Sequence, residues 1–159
     1  QQVFGDCTRS WCFIAQLMEA PPLDEPVRFG GEGGVPFRGL TLDEATDETA
    51  QLRLWWQVPA GEAPPALDYS IAVHLLNESG SIVAQADGPI RHYGGEVVQT
   101  SAMEPGRLYM DVRELVLPRG TPPGAYSLRV IVYQSWDGTR LQLPDGRDAW
   151  DDAPDVTIP

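Results

Sequence analysis

Lysine is absent from this chain: all eleven basic residues among its 159 are Arg, set against 23 acidic ones for a formal net charge of -12. That charge repels phosphate backbones, and no stretch gathers the basic stripe that nucleic-acid binding needs, so the sequence argues against a nucleic-acid partner. Asn occurs once, as Asn77, and the missing Lys and Asn read as coding bias rather than selected chemistry. Two cysteines and the distant His74 and His92 fall short of the ligand set of a zinc site, and neither metal nor cofactor is expected. No apolar run nears the ~18 residues of a membrane span, so membrane insertion of this segment is not expected. Gly-x-Ser-x-Gly, His-Glu-x-x-His and a phosphate-binding glycine loop are also missing, and no catalytic residue is assigned.

What is present fits one domain. A chain of 159 residues with 42% hydrophobic content can bury a substantial core, and its 16 Gly and 15 Pro punctuate the sequence instead of clustering. Residues 1–159 read as a single unit, in which residues 1–26 form an N-terminal extension whose Cys7 to Cys12 loop packs on the rest. The opening Gln1-Gln2, without an initiator Met or an apolar leader, reads as a piece cut from a longer protein. Cys7 and Cys12 have the spacing of a small disulfide loop, which chain entropy would stabilise by ~2 kcal/mol. Two reduced thiols in a cytosolic protein fit the same spacing.

Short runs with period-two alternation, separated by turn signals, predict an all-β fold: a two-sheet antiparallel sandwich, jelly-roll or immunoglobulin-like. Strands are expected over residues 11–18, 35–42, 51–58, 69–76, 81–86, 109–117, 126–134, 139–143 and 155–158. Leu52, Leu54, Trp56 and Val58 share one face, as do Tyr69, Ile71, Val73 and Leu75. An even-length turn at Asn77-Glu78-Ser79-Gly80 would add Ile82 and Ala84 to that face, and Tyr126, Leu128, Val130 and Val132 repeat the pattern. The connection from Gly88 to Gly106 is long enough to cross between sheets.

The opposite parity brings out Arg53, Trp55, Gln57, His74 and Gln85. An indole plane beside guanidinium, amide and imidazole groups is chemistry suited to a glycan, and these five are the candidate ligand-binding residues. The competing reading is a covered face whose polar groups satisfy one another. Trp136, Tyr93 and Trp150 fall at loop positions, where an aromatic serves either recognition or a core edge. Asp137, Asp145, Asp148, Asp151, Asp152 and Asp155 crowd the C-terminal part without the spacing of a calcium loop, and read as a solvated acidic segment. Asn77-Glu78-Ser79 matches the N-glycosylation pattern but reads first as a turn.

The runs Leu52-Arg53-Leu54-Trp55-Trp56-Gln57, Val73-His74-Leu75-Leu76-Asn77 and Ile82-Val83-Ala84-Gln85-Ala86-Asp87 resemble the accessory β-sandwich that follows membrane-embedded bacterial glycosyltransferases, the relatives of dolichyl-phosphate-mannose-dependent protein mannosyltransferases. Phe29-Gly30-Gly31, Pro105-Gly106, the Pro122 to Val130 run and Asp137-Gly138 continue the resemblance, over roughly residues 27–145. It departs at Met103, where such domains often carry an aromatic, and at the Cys7 to Cys12 segment. The resemblance implies an extracytoplasmic, non-catalytic domain tethered through a parent membrane glycosyltransferase, with scaffolding or weak carbohydrate binding as its role. An oxidising compartment would in turn favour the Cys7–Cys12 disulfide. The alternative function is a small jelly-roll enzyme acting on glycans, which would need two carboxylates facing each other across a groove.

Overall fold

The computed structural model describes residues 20–159, which form a sandwich of two antiparallel sheets. In chain order the strands are β1 (Val27–Phe29), β2 (Val35–Ala45), β3 (Thr49–Gln57), β4 (Ser70–Leu76), β5 (Ile82–Gly88), β6 (Ile90–His92), β7 (Glu96–Val98), β8 (Leu108–Val116), β9 (Gly124–Tyr133) and β10 (Val156–Ile158). One sheet has the order β1-β2-β3-β8-β6-β7 and the other β10-β9-β4-β5. The chain crosses between them after β3, after β5 and after β8. No α-helix occurs among the described residues, and none there is long and apolar enough to cross a membrane.

Alternation produces the core. Leu52, Leu54 and Trp56 of β3 face Ile71, Val73 and Leu75 of β4 and Leu128, Val130 and Val132 of β9, all at most 1% exposed. Phe37 sits between Trp56 and Trp150, with ring centroids 4.8 and 5.0 Å apart. The expected core residues Leu54, Trp56, Ile71, Val73, Leu75, Leu128 and Val130 are therefore inside.

Two expectations about elements need correction. Residues 139–143 are not a strand; Arg140 makes one isolated bridge to Tyr133. The connection from Gly88 to Gly106 crosses between the sheets as expected, and it carries the short strands β6 and β7, which, like β1, were not anticipated. Ile82 is 52% exposed rather than in the core. The register moves from Leu75↔Ala84 to Leu76↔Ile82, so one extra residue bulges in β5 and turns Ile82 outward.

The expected strand over 11–18 and the Cys7–Cys12 pair lie outside the described residues. The described end of the N-terminal extension packs against β2: Leu23 N–H donates to the Arg38 carbonyl at 3.0 Å and Arg38 Nε donates to the Leu23 carbonyl at 2.8 Å. Gly39, at φ +100°, makes that approach possible, because a Cβ there would lie 3.0 Å from the Pro22 side chain.

Candidate functional site

The five candidate residues do not share a surface. Arg53, Trp55 and Gln57 project from β3 in the six-stranded sheet, whereas His74 of β4 and Gln85 of β5 belong to the four-stranded sheet. Because the inward faces of these sheets meet in the core, their outward faces point in opposite directions, and the hydrophobic layer separates the two groups. Parity fixes which side of its own sheet a residue takes; it does not say that two successive strands share a sheet.

The β3 group is committed to its own sheet. Trp55 is 3% exposed, and its indole N–H donates to Thr41 Oγ1 at 3.1 Å, on β2. On the other side it pairs with Met110 of β8, while the Arg53 guanidinium lies 5.7 Å from the ring centroid. Arg53 Nε donates to both carboxylate oxygens of Asp43 at 2.8 Å. Gln57 accepts from Arg38 Nη1 through Oε1 and donates from Nε2 to the Gly106 carbonyl at 3.1 Å. The indole face is therefore no open platform.

On the opposite surface, the register sets Arg129, His74 and Gln85 side by side across β9, β4 and β5. His74 is largely buried, and its imidazole titrates below the ordinary value. Desolvation is the main cause, Arg140 and Arg129 add repulsion, and Asp87 opposes them. Beside this row, Ala72, Ile131 and Ala149 form a small second apolar cluster with Tyr133, where the C-terminal segment covers part of the sheet. Tyr133 donates its hydroxyl proton to Asp87 Oδ1 at 2.6 Å, which raises the phenol's pKa.

Sequence reasoning missed a buried ion pair. Asp111 and Arg113 of β8 face the core at 0% and 3% exposure, in the same parity as Tyr109 and Leu115. Arg113 Nε donates to both Asp111 oxygens at 3.0 and 3.1 Å, and its Nη2 donates to the Gly88 and Pro89 carbonyls at 3.2 and 2.7 Å. Asp111 also accepts from the Arg91 N–H at 2.8 Å. The Trp56 indole N–H is close enough to favour the charged carboxylate without meeting hydrogen-bond geometry. Burial nevertheless pushes the Asp111 carboxyl above its ordinary value, outweighing the pull of Arg113. The pair ties β8 to the crossing between β5 and β6. Alternation in the expected strand 109–117 would have placed both residues inward with Tyr109 and Leu115.

The aromatic and acidic features resolve differently. Trp150 is core, bridged to Val130, while Trp136 and Tyr93 are 58% and 44% exposed. In the acidic segment Arg147 holds Asp145, Asp151 and Asp152 at 2.8, 2.6 and 3.0 Å, and Arg140 holds Asp148 at 3.1 Å. A guanidinium already occupies the centre of these carboxylates. Among the described residues no group of His, Cys, Asp or Glu is arranged to hold a metal ion.

Fold and surfaces together define an antiparallel β-sandwich domain in which Arg53, Trp55 and Gln57 are engaged with their own chain. Compared with known proteins, the sequence matches no family and no curated protein.

Proposed function

We propose that this chain is a non-catalytic accessory domain of a membrane-embedded bacterial glycosyltransferase, held on the extracytoplasmic side as a scaffold with weak affinity for carbohydrate. The parentage rests on the sequence resemblance over roughly residues 27–145. The scaffolding role is carried by one observation: Trp55, the aromatic best suited by sequence to a ligand platform, is buried and spends its only polar group on Thr41. A side chain so placed braces β2, β3 and β8 against one another. Sugar transfer itself is assigned to the parent's membrane portion, and no residue of this domain is given a catalytic role.

The reading frame that contains this chain tests the parentage. A polytopic membrane region encoded in the same frame is expected. A complete frame without such a region, whose product cleaves glycosides unaided, would overturn the proposal in favour of a small glycan-cleaving enzyme.

A further inference from the structure

The outer face of the four-stranded sheet runs into an open groove of about 290 Å³. The volume lies at the small end of ligand pockets, the scale of a single sugar ring rather than of a nucleotide or a drug-sized molecule. Three strand ends build it. Leu76, last in β4, pairs with Ser127 of β9, and Tyr126 of β9 pairs with Val156, first in β10. The turn after β4 and the residue before β10 therefore flank the outward Ser127 and Arg129.

Its polar groups are Asn77, Glu78, Ser127, Arg129 and Asp155. Asn77 Oδ1 accepts from Ser79 N, Ser79 Oγ and Ser81 N at 3.1, 2.7 and 2.9 Å, which fixes the amide and leaves its NH2 as a donor. Arg129 is loosely held: its Nη2 lies 3.6 Å from Asp151, whereas Arg147 grips its three carboxylates at 2.6 to 3.0 Å. Its side chain is 37% exposed and has five N–H donors in all. Ser127 both donates and accepts, and Glu78 and Asp155 are exposed acceptors. The Tyr126 hydroxyl is already committed to the Pro122 carbonyl at 2.6 Å, so it contributes wall and not contact.

The balance of these groups selects the ligand class. One guanidinium against two carboxylates, in a chain of net charge -12, disfavours an anion, and the guanidinium within the lining disfavours a divalent cation. Donors interleaved with acceptors suit a neutral polyhydroxylated molecule, in which each hydroxyl gives one hydrogen bond and takes another. We infer that this groove, and not the Trp55 face, is where the domain contacts a neutral sugar residue, with Asn77, Ser127 and Arg129 donating and Glu78 and Asp155 accepting. The inference rests on the accessory-domain reading only for its expectation of carbohydrate. An open groove without a stacking ring binds weakly, with a dissociation constant on the order of millimolar.

Amide chemical shifts of the 159-residue chain, followed as methyl α-mannopyranoside, methyl β-glucopyranoside or sodium sulfate is added, test it. Saturable shifts with either glycoside are expected at residues 77–80 and 125–129. Arg129→Met, which keeps the aliphatic stem, should weaken binding about tenfold, the loss of one good contact. Because that residue lies within β9, the exposed pair Glu78→Ala with Asp155→Ala supplies a second variant, expected to weaken binding similarly at an unchanged melting temperature. Shifts that persist unaltered in both variants, or that sulfate produces more strongly than sugar, would overturn the site. Saturable sugar shifts at other residues would overturn the groove and leave the carbohydrate-binding reading standing. No shift with any glycoside would remove both the groove and the carbohydrate part of the accessory reading, leaving the scaffold.

Discussion

Arg113 spends its guanidinium inside the sandwich, where it neutralises Asp111 and satisfies two carbonyls at the crossing from β5 to β6. Removing one member of such a pair leaves the other charged and dry, so Arg113→Ala should cost about 3–5 kcal/mol in urea denaturation. Arg113→Lys should recover only part of that loss, because an ammonium cannot bind the carboxylate in a fork and reach the Pro89 carbonyl as well. His74 offers a second prediction. Its folded pKa lies below the unfolded value of 6.5, so between the two the unfolded chain binds more protons. Stability from this group is therefore fully present above 6.5 and is lost as pH falls through the folded value. Urea midpoints measured from neutral to mildly acidic pH should fall on acidification, and His74→Gln should flatten that part of the slope. An imidazole that titrates at or above 6.5 by NMR would contradict this placement.

At the scale of elements, the long strands were legible because each carries a run of alternating apolar residues: Ala50, Leu52, Leu54 and Trp56 in β3, Tyr126, Leu128, Val130 and Val132 in β9. The three-residue strands β1, β6 and β7 are too short for a period to declare itself, and pairing with neighbours, not local sequence, makes them strands. Residues 139–143 looked like a strand by composition, yet after the Trp136 turn they make only an isolated bridge at Arg140. The β5 bulge is the instructive miss, since one inserted residue moves Ile82 to solvent while Ala84 keeps its core place. Ile82→Thr should change stability by no more than about 0.5 kcal/mol, as exposed positions do, whereas Leu75→Ala on the adjoining strand should cost about 2–5 kcal/mol. Comparable losses from the two substitutions would mean that β5 pairs without the bulge.

For the molecule as a whole, topology decided what alternation alone left open. Arg53, Trp55 and Gln57 were correctly placed outward by parity, as were His74 and Gln85, but the connection after β3 carries the chain to the other sheet and sends the two groups to opposite surfaces. A crossing and a hairpin read alike in a sequence of alternating residues, so the candidate site dissolved while the core stood. The groove at the ends of β4, β9 and β10 was invisible for the same reason, since it joins residues from three separate parts of the chain. Trp55 belongs to the internal frame of its own sheet and leaves no ligand platform on the β3 face, and Trp55→Ala tests this directly. Truncating a buried indole costs about 3–5 kcal/mol, and in a domain of this size that lowers the melting temperature by about 10 °C. A fall of that size is expected, with whatever glycan binding the wild type shows on an array retained by the folded variant below its melting point. An unchanged melting temperature together with lost glycan binding would contradict it.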